Sequence, residues 1–284
     1  MLFNQAELNQ TYAENGFVIL PLINEETLHL LRLLYRQNYP QEMVGLQPSL
    51  RIGDAQKNIA LHHQIGELLT PSLQKWFTPF AFNANHFIAK GAKAEHEFEL
   101  HQDWNVVDET KYLAAHIWIA LQDIDEQNGG LFLVSGSHRF FDTVRSGSCG
   151  IPFIKATEKV KPYITSPSIK AGEAIVYQQA LFHGSFPNSS SQVRLVCLCS
   201  IRPKDASMLY FQQQDSAIFA YEISPEILFE QVKSFEQGVA PKTHSLPVKI
   251  EQKPLPTHSL NNPVFEAQLT YKKQPDAKKN TRLV

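Results

Sequence analysis

The chain has 284 residues, of which 43% are hydrophobic and 11% aromatic, and its formal net charge is −2. That composition supports a well-filled core and excludes a largely disordered chain. A nearly neutral charge argues against a general nucleic-acid binder and against attachment to a membrane surface by charge. No apolar run approaches the roughly 18–20 residues that a bilayer-spanning helix needs.

The chain start and the cysteines indicate a cellular compartment. Residues 1–7 contain neither a basic segment nor an apolar run of the kind that begins a secretion signal. Cys149, Cys197 and Cys199 are odd in number, and the last two alternate along a predicted strand. We therefore expect three reduced thiols in a cytoplasmic protein, with Cys197 and Cys199 acting as packing residues.

Two helices are predicted in the first eighty residues. Residues 12–21 are interpreted as a turn at Asn15-Gly16 leading into a short strand. Asn24 then caps a helix that runs to about residue 37 and is closed by Pro40. A second helix is predicted over residues 57–77, where Pro71 is expected to break it.

From about residue 80 the pattern changes to short strands bounded by Gly, Asn, Ser or Pro. Such a series is typical of a sandwich or jelly roll. The stretch 138–168 is long, irregular and rich in Gly, Ser, Pro and Lys, which is typical of a functional lid or a disordered insert. The predicted strands cover residues 81–90, 98–101, 113–121, 130–134, 173–177 and 193–201.

The character of the chain shifts again after about residue 211. Ser224-Pro225-Glu226 is a good helix start, and apolar residues follow at helical spacing. Beyond Gly238 the chain is proline-spaced and polar, and we interpret it as a solvated tail. The predicted organisation is one domain over residues 1–211 and a C-terminal extension over 212–284, with a helix at about 224–237.

One constellation carries chemistry. His101 and Asp103 are two residues apart on a predicted strand, so their side chains point to the same side. His183 would complete a two-histidine, one-carboxylate set, which binds Fe(II) and leaves positions open for a co-substrate and O2. Arg194, eleven residues later, offers a fork of donors suited to a carboxylate. Alone, each residue has an ordinary interpretation, such as a polar pair, a loop histidine or half of an ion pair.

The ordered set of motifs resembles the phytanoyl-CoA dioxygenase family of Fe(II)- and 2-oxoglutarate-dependent oxygenases. The resemblance covers roughly residues 8–205 and leaves the chain after residue 211 uncovered. The segments that carry it are His101-Gln102-Asp103-Trp104, Trp118-Ile119-Ala120-Leu121, Asn128-Gly129-Gly130-Leu131, Gly136-Ser137-His138, Ala171-Gly172-Glu173, and His183-Gly184-Ser185 with Asn188 and Arg194.

The resemblance implies a mainly β fold: a double-stranded β-helix, or jelly-roll, core at about 80–205 with the N-terminal helices outside it. It also implies iron held by His101, Asp103 and His183, and 2-oxoglutarate held at its distal carboxylate by Arg194 with help from Ser185. Trp118 would pack near the co-substrate, and Phe98 and His86 match positions that can line the same pocket. Lys90 resembles a lysine that precedes a proline-rich loop in relatives, but Gly91-Ala92 stands here instead.

The implied reaction consumes O2 and 2-oxoglutarate, releases succinate and CO2, and hydroxylates a C–H bond of a small-molecule metabolite. Relatives that halogenate carry a small residue at the position of Asp103, so the carboxylate favours hydroxylation or another oxidation. Two alternatives stay open. One is a catalytically silent β-helix module that only binds, and the other is a cupin-like metalloenzyme that does not use 2-oxoglutarate.

Substrate and assembly are less constrained by the sequence. Basic residues of the 138–168 stretch would meet an anionic substrate, or would simply be solvated; they are Arg139, Arg145, Lys155, Lys159 and Lys161. We favour a small metabolite over an acyl-CoA ester. The C-terminal extension could act as the arm of a homodimer or as an active-site cover. Four further histidines, His62, His63, His116 and His138, are assigned to surface or packing positions.

Overall fold

The structure is a computed structural model. It describes residues 1–39, 44–154, 158–243, 246–250, 265 and 269. The predicted helix end at Pro40 and the basic residue Lys155 therefore lie outside the described residues.

Helices precede and follow a long series of strands. The helices with described bounds are α1 (Ala6–Asn15), α2 (Glu25–Asn38), α3 (Ala55–Trp76) and α4 (Pro225–Glu236). The strands are β1 (Phe17–Pro21), β2 (Leu46–Pro48), β3 (Phe80–Lys90), β4 (Phe98–His101), β5 (Ala115–Ala120), β6 (Leu131–Val134), β7 (Phe153–Ile154), β8 (Ile164–Thr165), β9 (Glu173–Gln178), β10 (His183–Ser185), β11 (Arg194–Pro203), β12 (Leu209–Gln214), β13 (Ala217–Glu222) and β14 (Val248–Ile250).

Two antiparallel sheets form the centre of the molecule. The larger has the strand order β1-β9-β5-β11-β3-β2, and the smaller has the order β7-β4-β10-β6-β8. Their facing sides share one apolar cluster, to which Trp118 and Val196 contribute from the large sheet and Leu131 and Leu133 from the small one. The predicted fold class, mainly β with a jelly-roll core and flanking helices, is confirmed.

The helices cover the outer face of the large sheet. A single buried cluster forms there, to which α2, α3 and the sheet contribute Leu28, Ile65, Leu69, Ile117 and Cys197. Alternation along β5 and β11 sends every second side chain to this layer and the others towards the small sheet. Cys149, Cys197 and Cys199 are all unpaired and buried, as expected for packing thiols.

Helix α2 begins where the sequence predicts, because the Asn24 side chain accepts a hydrogen bond from the main-chain N–H of Thr27. The predicted break at Pro71 is wrong, since α3 continues through it to Trp76. Pro71 and Glu67 are both exposed, so the carbonyl that loses its helical donor faces water. The Thr70 hydroxyl also donates to the Gly66 carbonyl within this turn.

The sequence missed the first helix. Residues 12–15 belong to α1 rather than to a turn, and the turn begins at Gly16, whose φ is +82°. The N-cap residue Gln5 makes no side-chain cap, and only Leu8 and Tyr12 of this helix are buried. Neither the capping signal nor the apolar stripe that usually reveals a helix is therefore present.

The 138–168 stretch is not an irregular lid in its described part. It supplies β7 and β8 to the two edges of the small sheet. Val144, Arg145 and Val160 within it are fully buried. The order of this stretch comes from contacts with residues that are distant in the sequence. The local composition does not show such contacts and therefore suggested a loop.

The chain after residue 211 contains more structure than a helix and a solvated tail. Strands β12, β13 and β14 form a third antiparallel sheet. Phe265 and Leu269 are buried on the outer side of the small sheet, so the solvated interpretation fails at these two residues. The division into a domain at 1–211 and an extension at 212–284 stays a prediction. In the described part of the chain, no helix combines the length and the apolar character needed to cross a bilayer.

Phe265 is expected to contribute strongly to stability. Its ring lies 4.9 Å from that of Phe182 and 5.6 Å from that of Phe140, between centroids. Phe265→Ala should lower the free energy of unfolding by about 3–5 kcal/mol, because it removes a buried ring and leaves a cavity. Equilibrium urea unfolding measures this, with Leu246→Ala as a control at a side chain that is 88% exposed. Equal effects of the two substitutions would show that the tail does not stabilise the core.

Candidate metal centre

The predicted metal ligands meet at the junction of two strands of the small sheet. His101 ends β4, His183 begins β10, and the two residues are paired across the antiparallel ladder. Asp103 follows His101 by two residues. Gly184 makes this close pairing feasible, because a Cβ atom there would lie 2.3 Å from the Phe98 carbonyl oxygen. Strand packing thus requires the glycine of the His-Gly-Ser motif.

The three side chains form a compact donor set. One ligand atom from each of His101, Asp103 and His183 lies within 4.8 Å of the others. Asp103 Oδ1 is 3.5 Å from His101 Nε2, and Asp103 Oδ2 is 3.4 Å from His183 Nε2. Each histidine donates its Nδ1 proton to a main-chain carbonyl, His101 to Glu99 at 2.8 Å and His183 to Leu181 at 2.9 Å. Both Nε2 atoms therefore carry the free lone pair that a metal requires.

The electrostatics favour the protonation states of a metal site. Burial, the largest effect, lowers the pKa of His183 to about 4, so its imidazole is neutral near neutral pH. Burial acts to raise the pKa of Asp103, but the neighbouring imidazoles of His183, His116 and His101 hold it well below its ordinary value. A neutral imidazole beside an ionised carboxylate is the state that binds a divalent cation.

The main chain of Asp103 is held from both sides. Its N–H donates to the Gln179 carbonyl at 2.8 Å. Its carbonyl accepts from Arg145 Nε at 2.7 Å, and Arg145 Nη2 donates to both carboxylate oxygens of Glu109, at 2.7 and 2.9 Å. Arg145 is fully buried, so both sequence-based interpretations of this residue, a substrate-facing lid cation and a solvated loop residue, are wrong.

Arg194 lies on β11 in the cavity that contains the ligand set. It is 1% exposed, and its guanidinium carbon lies 5.1 Å from the centre of the Trp118 ring. Its Nε and Nη1 atoms are buried without a hydrogen-bond partner. Burial lowers the pKa of Arg194 to about 9, and no carboxylate among the described residues forms an ion pair with it. A buried cation with free donors is a site for an anion.

Ser185 lies beside this cation and is linked to a second one. Lys90 pairs with Arg194 across β3 and β11. Its ammonium donates to Ser185 Oγ at 3.0 Å, to the Ser185 carbonyl at 3.3 Å and to the Phe186 carbonyl. The structure thus gives Lys90 a defined place next to the predicted co-substrate residues, although the loop that follows it departs from the family pattern.

Lys90 makes stability depend on pH. Burial and then the neighbouring charge of Arg194 lower its folded-state pKa to about 8, against about 10.4 in an unfolded chain. At a pH between these two pKa values the unfolded chain binds more protons than the folded protein does. The contribution of Lys90 to stability should therefore rise with pH in this window. Urea unfolding across that window should show the rise in the parent protein, and Lys90→Met should flatten it. The exposed Lys75→Met is the control, and an unchanged slope in Lys90→Met would contradict the assignment.

The ligand set, Arg194 and Ser185 open into one cavity of about 580 Å³, within the usual range for ligand sites. Phe98 and His86 line it as predicted, and the Phe98 ring lies 4.4 Å from that of His101. The His86 Nδ1 atom is buried without a partner, and burial lowers the pKa of this imidazole to about 3. All eight predicted site residues, His86, Phe98, His101, Asp103, Trp118, His183, Ser185 and Arg194, thus line the cavity.

Three lining residues that lie beside the metal ligands were missed by the sequence analysis. His116 was assigned to packing or the surface, but its Nε2 is 3.5 Å from Asp103 Oδ2. Burial, and then the Asp103 carboxylate, raise the pKa of Tyr177 well above its ordinary value, and its ring centroid is 4.5 Å from that of His183. Gln179 is the third, with its amide beside His116. His116 was detectable, since it stands two residues before Trp118 on one strand and must share its face.

The other histidines and basic residues lie away from the cavity. His62 accepts a hydrogen bond from the Asn85 main chain, His63 pairs with Glu226, and His138 contacts the Ala13 carbonyl. Arg139 donates to the Glu14 carbonyl, and Lys161 pairs with Glu158. None of the described basic residues of the 138–168 stretch lines the cavity, so the structure does not support an anion-binding lid.

The chain was compared with models of known protein families. Residues 54–196 match the model described as phytanoyl-CoA dioxygenase (PhyH). The chain belongs to the phytanoyl-CoA dioxygenase family. The matched region contains both histidines and the carboxylate of the ligand set as well as Arg194, and the resemblance identified from the motifs is confirmed.

Two curated relatives match over shorter segments. A protein named dioxygenase olcK from Penicillium canescens is 37% identical over 83 residues, which is 29% of this chain and 23% of that protein. A phytanoyl-CoA dioxygenase domain-containing protein 1 homolog from Dictyostelium discoideum is 32% identical over 117 residues, 38% of this chain and 41% of that protein. The chain thus matches less than half the length of each relative.

Solved structures share the fold. The carbocyclase SnoK from nogalamycin biosynthesis, described as non-heme and alpha ketoglutarate dependent, superposes with a TM-score of 0.53 at 16% identity. The match covers 87% of this chain and 96% of SnoK. At 16% identity, this similarity shows a shared fold.

Proposed function

We propose that this protein is an Fe(II)- and 2-oxoglutarate-dependent dioxygenase that hydroxylates a C–H bond of a small-molecule metabolite and releases succinate and CO2. His101, Asp103 and His183 hold the metal, and Arg194, helped by Ser185, binds the distal carboxylate of 2-oxoglutarate. Trp118 packs against the Arg194 guanidinium, while Phe98 and His86 line the pocket.

One observation carries the proposal: a preorganised two-histidine, one-carboxylate set shares a cavity with a buried arginine whose donors have no partner. The donor set fits Fe(II), because two neutral nitrogens and one carboxylate oxygen leave coordination positions open. The unpaired guanidinium fits a dicarboxylic co-substrate, which would supply the missing counter-charge. The description of SnoK as alpha ketoglutarate dependent supports the same chemistry.

The bound iron and 2-oxoglutarate supply the oxidising chemistry with O2. The protein orients the metal ligands and the co-substrate and supplies an apolar lining. The Glu99 and Leu181 carbonyls fix the two imidazole rings through their Nδ1 protons. Arg194 and Ser185 fix the far end of the co-substrate, and the apolar cluster between the sheets lines the cavity with Trp118, Leu131 and Leu198.

The structure bears on the alternatives. A silent binding module would not need both imidazoles held in the ligating tautomer. A metalloenzyme without 2-oxoglutarate would leave Arg194 buried and uncompensated, which is unfavourable. The carboxylate of Asp103 favours hydroxylation over halogenation. We also place the protein in the cytoplasm, where its three unpaired cysteines stay reduced.

Anaerobic addition of Fe(II) and 2-oxoglutarate tests the proposal. We expect the weak visible charge-transfer band of the bidentate complex and, on admitting O2, succinate release. Asp103→Ala should weaken Fe(II) binding by more than about 100-fold, because one of three protein ligands is lost and losing a group that only orients a ligand typically costs about 10–100-fold. Asp108→Ala, at a carboxylate on the same loop that bonds Thr110 and Lys111, is the control. Absence of the band in the parent protein would overturn the assignment.

A further inference from the structure

The proposed function leaves the substrate class open, and the cavity constrains it. Resting on that function, we infer that the substrate is an uncharged, largely apolar molecule with at least one hydroxyl or carbonyl group. The Gln179 amide hydrogen-bonds that group and orients the molecule beside the metal. Gln179 is thereby assigned as a specificity-determining residue.

The outer wall of the cavity is apolar. Helix α4 contributes Leu228 and Val232, and the segment that contains β2 and the turn after it contributes Leu46 and Leu50. Phe98 continues this surface towards His101. These side chains offer dispersion contacts and no hydrogen bonds to a molecule entering from the mouth, which favours an apolar substrate body.

The wall formed by α4 is a fixed part of the cavity. Its last turn lies directly on Gly147, where an added Cβ atom would stand 1.7 Å from the Phe235 carbonyl oxygen. The Gln56 amide donates to Glu230 at 3.3 Å on the other side of the helix. Because this packing needs glycine at residue 147, the helix is seated closely and the apolar wall is preformed.

Among the described residues that line the cavity, each charged side chain already has a partner or an assigned role. In the part of the chain that the structure describes, the Lys, Arg, Asp and Glu residues that line it are Arg51, Asp103, Arg194 and Glu236. Asp103 and Arg194 are committed to the metal and the co-substrate. Arg51 Nε and Glu236 Oε1 pair with each other at 2.5 Å. A CoA ester, with its phosphates, would therefore find no unpaired cation among the described lining residues.

A polar contact is available at the inner end. Gln179 is 1% exposed and lines the cavity. One atom of its amide is 3.2 Å from His116 Nε2, while the other, assigned as Oε1, is buried without a partner. Its main-chain carbonyl accepts the Asp103 N–H, so the amide is held next to a metal ligand. A buried unsatisfied amide costs free energy that a hydroxyl or carbonyl of the substrate can recover.

A matched library tests the inference. Neutral terpenoid and polycyclic alcohols and ketones are compared with their deoxy counterparts, with acyl-CoA thioesters and with amino acids. Calorimetric binding to the anaerobic Fe(II)/2-oxoglutarate protein and stimulation of succinate release are the readouts. We expect neutral oxygenated members to bind at least about tenfold more tightly than the charged classes. Gln179→Leu should weaken oxygenated members about tenfold and leave deoxy members unchanged, corresponding to one lost hydrogen bond.

Gln178→Leu is the matched control, because this neighbouring side chain donates to the Tyr12 carbonyl and does not line the cavity. It should change neither class of ligand. Three results would overturn the inference: no neutral member binds, a charged class binds as tightly, or Gln179→Leu affects oxygenated and deoxy members equally. Failure of the proposed function is seen separately, as absence of the charge-transfer band before any library member is added.

Discussion

Replacing Arg194 by methionine is expected to raise the Kd for 2-oxoglutarate by about hundredfold or more, since truncating one partner of a buried charged pair costs about 2–5 kcal/mol. The Fe(II) affinity should change little, because Arg194 belongs to neither the ligand set nor its hydrogen bonds. Methionine keeps a long apolar side chain over the Trp118 ring, so the substitution removes the charge and the fork of donors with little loss of packing.

Arg194→Met has a second expected consequence that separates a binding role from a structural one. The guanidinium is buried, its Nε and Nη1 atoms have no partner, and burial lowers its pKa. Removing an uncompensated buried cation should leave the ligand-free protein as stable as the parent, or more stable. A residue kept only for folding would show the reverse. The same reasoning predicts that saturating 2-oxoglutarate stabilises the parent protein and not the variant.

Two measurements check this prediction. Anaerobic titration of 2-oxoglutarate into the Fe(II) protein gives the Kd from the charge-transfer band, and urea unfolding gives the stability. Arg202→Met is the matched control, because Arg202 is an arginine of the same strand that donates to the Phe82 and Ala206 carbonyls. It should lose stability and keep its 2-oxoglutarate affinity. Unchanged affinity in Arg194→Met would refute the assigned role.

The parts of this molecule that the sequence predicts are those encoded locally. His101 and Asp103 share a strand face because side chains alternate along a strand. Asn24 marks the start of a helix because its own side chain caps the main chain. Arg194 and His183 were assigned through motif order, which the strand ladder then explains: β10 pairs with β4, and β11 returns beside β3. The fold class followed from short strands and turn residues, without knowledge of their partners.

The remainder depends on contacts between distant residues. Arg145 and Asp103 are 42 positions apart, and nothing near Arg145 in the sequence distinguishes a brace from a solvated lid residue. Phe265 sits in a polar, proline-spaced tail and is buried only because Phe182 and Phe140 offer it a surface. The role inferred for Gln179 depends on how its amide is oriented relative to His116. The spacing of residues in the sequence does not predict that orientation.

Arg145→Met is expected to produce the largest structural effect at the site. It leaves the Asp103 carbonyl and the partly exposed Glu109 carboxylate without their donor, and an acceptor left unsatisfied in this way costs about 1–3 kcal/mol. It should also weaken Fe(II) binding by about 10–100-fold, as loss of a group that orients a ligand typically does. Arg145 is a positioning residue here, since it touches the main chain of a ligand and not the metal.

The comparison with Arg145→Lys separates the two effects. Lysine keeps the charge opposite Glu109 but cannot bond both its carboxylate and the Asp103 carbonyl through a fixed fork. It should therefore recover much of the stability in urea unfolding, while the Fe(II) affinity and the position of the charge-transfer band remain altered. Arg202→Met, which removes comparable main-chain hydrogen bonds elsewhere, should lower stability without moving that band. If Fe(II) affinity instead follows stability alone across these variants, Arg145 supports the fold and does not position Asp103.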